Sequence, residues 1–581
     1  MDGEPDWDDV TTLLKEFEGV HYKNSTNIQK ILRYKTQQCN IENELESIYN
    51  LTESHSLALR INTTVKWEKN EKNQSLLDNV MVKCSNSNID KNINELINKL
   101  KVLPKEWTLV QLTSEFEADD NLNFKCDKYN TPGIHISVFT CGKRYSTPFM
   151  VSVDHPKDPV NGSKLELLNE IHCFLRQRKE LLKEKACKKN IHRFIAQRSA
   201  AQDKLQSIIL DTQNLWLREW RCLLVGNLVD ENVENNVLAE IEGFLNKNPP
   251  DETITEKTMQ ILLSAVKSAG YLKNNELKRI MQHLFSNADL IKKSAQFIKT
   301  LSSKFDIKNL QKNSVILIVD DALDIIPWEL VDTLSNEPVS RLPSLHFVFS
   351  LFDEHKDDIK DGFKIITEYK KGLYIVNPDE DLKNMEIRIM NFFTYWCPEW
   401  TGIAGYKPSD EEFYEHLTSS DIFSYNGHGS GSQHMTTERI QNVHVKAIVL
   451  LFGCSSTKIE RLGSQLGYHA KYYNYLMARC PSVVGMLWEV MDIDTDVITT
   501  EFLSQWIPSD APIHWKHVNK TKWKKAEQEI KFSLDETLVT GCVSLEPELL
   551  RALCLAKKEV QQLITKAACV VRGIPVKIEV K

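Results

Sequence analysis

The sequence predicts an α/β protein whose second half is built on a mostly parallel β-sheet flanked by helices. Short, unbroken apolar runs recur from Val315 onward, and such runs are typical of strands buried on both faces of a sheet. Polar segments with helical spacing, such as Asp381–Phe392 and Asp410–Leu417, lie between them. This alternation indicates repeated strand–helix–strand units. The predicted strands are Val315–Val319, Leu345–Leu351, Leu373–Val376, Ile422–Tyr425, Ala447–Phe452 and Val483–Leu487.

The first half of the chain predicts two further regions. Residues 1–102 carry apolar side chains three to four positions apart, as in Ile41, Leu45 and Ile48, and this spacing favours amphipathic helices. Residues 103–307 open with extended segments and continue into a helical insertion at about 163–301. The extended segments are Trp107–Leu112, Ile134–Thr140 and Phe149–Val153.

Composition excludes several classes of protein. The chain has 581 residues and a net charge of −8, from 72 basic and 80 acidic residues, so direct nucleic-acid binding has no electrostatic basis. The apolar runs are far shorter than the roughly 18–20 residues that span a bilayer. The 13 cysteines are scattered without a CxxC pair, which argues against a zinc site and favours a reducing compartment. We therefore expect no membrane segment, no metal and no cofactor.

Chemistry-bearing residues follow two of the predicted strands. Ile422–Tyr425 leads into a glycine-rich loop that contains His428, and Ala447–Phe452 leads into Gly453 and Cys454. Adjacent parallel strands would bring the histidine and the cysteine to one edge of the sheet, as a thiolate nucleophile and its base require. Read alone, a cysteine at a strand end is commonly a small buried side chain, and a His-Gly pair is commonly a turn. The pattern leaves open which bond is attacked.

The same segments resemble a known family. Tyr425–Gly431 and Ala447–Ser456 resemble the catalytic signature of separases, the caspase-related cysteine proteases that open the cohesin ring at anaphase. The resemblance is strong over residues 315–581, weaker from Trp107 to Leu301, and absent before Pro104. Further matching blocks are Leu317–Glu329, Val339–Leu345, Tyr374–Pro378 with Asp381-Leu382, Trp400–Gly402, Arg479–Trp488 and Gly573–Val576.

The resemblance implies a caspase-like fold with a particular domain order. The catalytic protease domain would occupy residues 308–581. A pseudo-protease substrate domain over 103–307, with the helical insertion, would precede it, and residues 1–102 would form a helical N-terminal region.

The resemblance also implies roles at the active site. Cys454 would be the nucleophile, and His428 would activate it and protonate the leaving amine. The backbone N–H groups of Gly429 and Cys454 would form the oxyanion hole. A third catalytic residue is not required, because these enzymes manage with a dyad.

Separases cut after arginine, so a pocket with carboxylates is expected. Asp492 and Asp494, with Trp488 before them, are the candidates for this S1 pocket. Acidic residues are also common in the first turn of a helix, where they meet the positive end of its dipole, and this alternative stays open. Met491 departs from the threonine that the family pattern has.

The implied function is cleavage of the kleisin subunit of cohesin after arginine. The implied partners are a securin-type inhibitor bound as a pseudosubstrate and, because most separases are much longer, a separate α-helical solenoid subunit of the kind found with insect members. The expected location is the cytoplasm, with access to chromosomes in mitosis. One alternative is a catalytically inactive caspase-like scaffold that binds securin and the solenoid subunit. Another caspase-clan peptidase is a further alternative, disfavoured by the Pro-Trp-Glu and Ser-Arg-Leu-Pro-Ser blocks.

Overall fold

The structure, a computed structural model, describes nine stretches of the chain. They are residues 25–38, 43–70, 73–82, 88–116, 129–142, 147–183, 191–463, 467–535 and 545–580. No helix in these stretches is long and apolar enough to cross a membrane.

One large sheet runs through the described residues. Its strands are β1 (Thr108–Ser114), β2 (Ile134–Thr140), β3 (Phe149–Val153), β4 (Val315–Val319), β5 (Val339–Leu342), β8 (Leu373–Val376), β9 (Thr401–Ala404), β10 (Ile422–Asn426), β11 (Ile448–Leu451), β14 (Ser482–Met486) and β15 (Cys569–Gly573). These 11 strands are arranged in the order β3-β2-β1-β4-β5-β15-β14-β11-β10-β8-β9. Two small sheets consist of β6 (Ile359–Lys360), β7 (Phe363–Ile366) and β16 (Val576–Ile578), and of β12 (Ile459–Gly463) and β13 (Gly467–Ala470).

Strand direction divides the large sheet into two parallel blocks. β14, β11, β10, β8 and β9 pair in parallel, as do β1, β4, β5 and β15. The two blocks meet at the antiparallel pair β14–β15, and β2 and β3 continue the second block in antiparallel pairing. The sheet is therefore continuous across the predicted domain boundary near residue 308.

Helices flank the large sheet, and the described residues form the following ones. They are α1 (Ser25–Gln38), α2 (Glu44–Ser54), α3 (Leu57–Asn70), α4 (Gln74–Val80), α5 (Ile89–Val102), α6 (Leu167–Lys183), α7 (Ile191–Asp211), α8 (Glu231–Lys247), α9 (Glu256–Ser268), α10 (Asn274–Leu284), α11 (Ala288–Lys304), α12 (Leu345–His355), α13 (Lys383–Trp396), α14 (Asp410–Thr418), α15 (Thr437–Gln441), α16 (Tyr473–Met477), α17 (Asp492–Trp506), α18 (Thr521–Lys524), α19 (Leu549–Glu559) and α20 (Leu563–Ala568). The described residues also form a π-helix (Thr212–Leu217) and 3₁₀ turns (Arg218–Leu223, Ile307–Asn309, Trp328–Leu330, Lys356–Asp358, Tyr369–Lys371 and Trp515–His517).

Alternating side chains of the strands feed two separate hydrophobic clusters. In β11, Ile448 and Leu450 pack into one cluster, whereas Val449 and Leu451 pack into the other. Strands with apolar residues at every position are stable only when helices cover both faces. The mixed α/β architecture predicted from the apolar runs is confirmed.

One predicted strand is wrong. Leu345–Leu351 lies in helix α12, which spans Leu345–His355. Every residue from Leu345 to Leu351 is buried, including the polar His346 and Ser350. A short, mostly apolar run that is buried on all sides shows no clear period, and therefore its sequence does not distinguish a helix from a strand.

A buried ion network joins several of the motifs noted in the sequence. Arg341 donates from Nε and Nη2 to Glu329 at 2.7 and 2.5 Å, and Arg572 of β15 donates to Asp324 at 2.5 and 2.6 Å. Arg341 also donates to the carbonyl of Asp324 at 2.5 Å. Buried charges persist only when they are paired, so these motif residues serve the core of the second parallel block.

Candidate active site

The two strand ends singled out in the sequence are neighbours in the sheet. β10 and β11 pair in parallel, with Tyr425 opposite Leu451. The loop with His428 and the loop with Cys454 therefore leave the sheet at the same edge. This edge, at the carboxyl ends of parallel strands, is where α/β sheets usually carry their sites.

Backbone contact at Gly453 holds these two loops together. A Cβ atom on Gly453 would lie 2.0 Å from the carbonyl oxygen of Gly429 and 2.6 Å from that of Gly427. Only glycine lets the backbones approach so closely. Ser455, directly after the cysteine, has φ of 55°, a left-handed conformation that is uncommon for a residue with a side chain. Gly429, predicted for the oxyanion hole, thus lies against the residue that precedes the nucleophile.

The Cys454 thiol is bonded to backbone rather than to histidine. Its Sγ donates to the carbonyl of Val490 at 3.1 Å, and the Val490 N–H approaches Sγ at 3.3 Å. Among the hydrogen bonds of the described residues, none joins Cys454 to His428. Burial raises the pKa of the Cys454 thiol, and the carboxylate of Glu489 raises it further. A raised pKa favours the neutral thiol, whereas a neighbouring imidazolium would favour the thiolate.

The side chain of His428 contacts an aspartate rather than the cysteine. Its Nε2 lies 3.0 and 3.1 Å from the two carboxylate oxygens of Asp381. The side chains of His428 and Asp381 are 52% and 60% exposed, so solvent reaches both. Asp381 belongs to a sequence block that matched the family, but its contact with the histidine was not predicted.

A cavity of about 470 Å³ opens in front of these residues. It is lined by His428 and Cys454, by Leu182 of the insertion helix α6, and by the start of helix α17. The remaining lining residues are Leu382, Met385, Asn426, Gly427, Phe452, Glu489, Val490, Met491, Asp492, Thr495 and Asp496. A cavity of this size can hold an amino-acid side chain of a bound peptide. Apolar walls with a few polar groups are typical of ligand-binding sites.

Asp492 is the predicted pocket residue that lines this cavity. Its side chain is 44% exposed and accepts a 3.2 Å hydrogen bond from Arg388. Asp496 also lines the cavity, but its side chain is only 1% exposed. It accepts a 2.6 Å hydrogen bond from Nε of Arg388. Burial raises the pKa of Asp496 well above its usual range. Asp492 is thus the more accessible of these two aspartates.

Asp494 and Trp488 lie elsewhere. Asp494 lines a smaller, adjoining cavity of about 40 Å³, where Arg198 of helix α7 donates to it at 2.5 Å. Trp488 is 1% exposed and donates from its indole N–H to the Ile564 carbonyl at 3.2 Å, and it does not line the catalytic cavity. Sequence spacing could not decide this, because the faces of a helix are assigned only once its packing is known.

The helical insertion contributes charge as well as surface to the site. Lys179 of α6 pairs with Glu489 at 3.4 Å. Arg178, next to it, lies in the smaller cavity with Asp494, and its positive charge acts to lower the pKa of Cys454. The thiol therefore lies between opposing charges, since Glu489 acts in the other direction.

Comparison with known proteins assigns the chain to a family. The family model described as "Separin, protease domain" matches residues 143–495, a segment that contains His428, Cys454, Asp492 and Asp494. Separin of Schizosaccharomyces pombe is 24% identical over 330 residues, which is 52% of this chain and 17% of that protein. Separin of Mus musculus is 26% identical over 312 residues, covering 53% of this chain and 14% of that protein.

Two further comparisons agree. Separin of Emericella nidulans is 31% identical over 194 residues, covering 33% of this chain and 9% of that protein. The crystal structure of the Saccharomyces cerevisiae separase–securin complex at 2.6 Å superposes with a TM-score of 0.63 and 15% identity, covering 99% of this chain and 40% of the other. The chain thus aligns with less than a fifth of the length of these curated relatives.

The chain falls in the class of cysteine protease domains, because adjacent strand ends present a cysteine and a histidine and the matching family model describes a protease domain. Within that class, the chain belongs to the separin family and carries its protease domain.

The charges around Cys454 predict how its reactivity depends on pH. Because the pKa of the thiol is raised, the midpoint of its alkylation rate should lie above that of an ordinary cysteine, roughly pH 8.5. Glu489→Gln removes a negative charge and should lower the midpoint, whereas Arg178→Met should raise it. Iodoacetamide labelling over a pH series, followed by mass spectrometry of the Cys454 peptide, measures these midpoints.

Glu240→Gln is the control, since this exposed glutamate of α8 pairs with Lys304 and is not among the charges that shift Cys454. It should leave the midpoint unchanged. Equal midpoints in wild type, Glu489→Gln and Arg178→Met would contradict the electrostatic account of the thiol.

Proposed function

We propose that this chain is a cysteine endopeptidase that cleaves after arginine, and that its substrate is the kleisin subunit of cohesin. The observation that carries the proposal is the shared cavity: Cys454, His428 and the half-exposed carboxylate of Asp492 all line it. A nucleophile, an acid–base group and an anionic pocket facing one space are what hydrolysis after a cationic residue requires.

The proposed mechanism begins with the arginine of the substrate in the cavity. Its guanidinium pairs with Asp492, because a planar cation and a carboxylate form charge-assisted hydrogen bonds. The Cys454 thiol leaves its bond with the Val490 carbonyl and transfers its proton to His428 as sulfur attacks the scissile carbonyl. The backbone N–H groups of Gly429 and Cys454 hold the oxyanion. His428 then protonates the leaving amine, and water hydrolyses the thioester.

The hydrogen bonds of the acidic residues support different roles for Asp492 and Asp494 in the pocket. Arg388 donates to both Asp496 and Asp492, and we propose that it orients Asp492. Asp494, in the same first helical turn, accepts instead from Arg198 in the adjoining cavity. We propose that Asp492 contacts the arginine directly and that Asp494 acts at the edge of the pocket.

We also propose that a securin-type inhibitor binds this cavity as an uncleaved pseudosubstrate. The support is the fold shared with the yeast separase–securin complex. Binding of a separate helical solenoid subunit, and cytoplasmic location with access to mitotic chromosomes, stay predictions.

Cys454→Ser should abolish cleavage, because a serine hydroxyl is a much weaker nucleophile than a cysteine thiol in this site. Cleavage of purified cohesin kleisin, and of an arginine-terminated fluorogenic peptide, should fall to background while the melting temperature is unchanged. Cys173→Ser is the matched control, since Cys173 is a free thiol in the insertion helix and does not line the cavity. Cleavage retained by Cys454→Ser would overturn the assignment, and a wild-type chain that binds securin but cleaves neither substrate would favour the inactive scaffold.

Asp492→Asn should lower kcat/KM for arginine peptides by roughly tenfold to a hundredfold, the range for loss of a hydrogen bond to a charged group. Asp494→Asn should cost less, because its partner is Arg198 rather than the substrate. Steady-state kinetics on both variants, with an arginine and a norleucine peptide, measure the difference. An equal or larger loss in Asp494→Asn would place the arginine in the adjoining cavity instead.

A further inference from the structure

Three strand ends meet at the site, not two. β8 pairs in parallel with β10 on the side away from β11, with Val376 opposite Asn426. The loop after β8 carries Asp381, whose carboxylate contacts Nε2 of His428. The cysteine, the histidine and the aspartate therefore follow three strands that are neighbours in the sheet, in the spatial order β11, β10, β8.

The loop that carries Asp381 is anchored on both sides. The N–H of Asn377 donates to the carbonyl of Asn426 at 2.8 Å, which ties the end of β8 to the end of β10. The buried side chain of Asn377 accepts the N–H of Leu382 at 2.9 Å and donates to Glu386 at 2.5 Å. Asn377 also has φ of 49°. These contacts fix the backbone on either side of Asp381 before any substrate binds.

The contact between His428 and Asp381 implies a different role for each nitrogen of the imidazole ring. With Nε2–H donating to the carboxylate, Nδ1 is the nitrogen left for proton transfer. During the reaction Nδ1 takes the thiol proton as the C–S bond forms, and returns it to the amine as the C–N bond breaks. The imidazolium that exists between these steps carries a positive charge, which an adjacent carboxylate stabilises.

We propose that Asp381 is the positioning residue for His428. It holds the ring so that Nδ1 faces the reaction, and its carboxylate stabilises the imidazolium. This inference rests on the proposed protease function, since it names the residue through which the general acid–base group acts.

The exposure of the pair determines what a variant should show. Both side chains are more than half exposed, and exposed ion pairs contribute little to folding stability. Variants of Asp381 should therefore fold normally. When substrate fills the cavity it displaces water from the pair, and the interaction becomes stronger as the local dielectric falls.

The first experiment compares Asp381→Asn with Asp379→Asn, an exposed aspartate two positions away in the same loop. Asp381→Asn should lower kcat for an arginine peptide by roughly tenfold or more with KM nearly unchanged, and Asp379→Asn should match wild type. Asp381→Glu should restore much of kcat, because a longer carboxylate can still reach the ring. A rise in kcat in Asp381→Asn would overturn the proposal, since it would mean that the contact with Asp381 keeps His428 in an unreactive orientation.

The second experiment does not depend on cleavage. In protein labelled with ¹³C at Cε1 of histidine, NMR relaxation reports motion of the His428 ring, whose signal is assigned with His428→Gln. The ring should be restrained in wild type and Asp379→Asn, and more mobile in Asp381→Ala. Equal mobility in wild type and Asp381→Ala would contradict the inference. If the wild-type chain cleaves no peptide, the proposed function fails while this measurement still decides the role of Asp381.

Discussion

The site depends on one close backbone approach. The carbonyl oxygens of Gly427 and Gly429 lie where a side chain on Gly453 would have to be, so the loops after β10 and β11 fit together only with glycine there. That contact fixes the distance between the histidine loop and the cysteine loop. Parallel pairing of the strands sets the edge, and the absence of a Cβ atom sets how near the two reacting residues stand.

Charge around the thiol then sets its resting state. Burial and Glu489 raise the pKa of Cys454, whereas the positive charge of Arg178 acts in the opposite sense. The thiol proton is held by the Val490 carbonyl, which is one residue from the Lys179–Glu489 pair. Since Arg178 and Lys179 both lie on insertion helix α6, the insertion contributes to the electrostatics of the nucleophile.

Much of this arrangement could be predicted from the sequence, because buried β-branched runs and their strand-end residues have strong local signals. His428 and Cys454 follow consecutive strands of the chain, so their meeting required only parallel pairing. Asp381 could not be placed in the same way, since β8 and β10 are not consecutive and strand order is set by tertiary packing. The side of helix α17 on which Asp494 lies depends likewise on Arg198, which is almost 300 residues earlier and has no local signal.

In the proposed mechanism, Cys454, activated through His428, attacks a carbonyl held next to an arginine pocket. The most direct measurement is covalent labelling with an arginyl acyloxymethyl ketone, followed by mass spectrometry of the modified peptide. We expect modification at Cys454, prevented by excess arginine peptide and lost in His428→Ala. Modification of another cysteine, or equal labelling of Cys454 in wild type and His428→Ala, would contradict it.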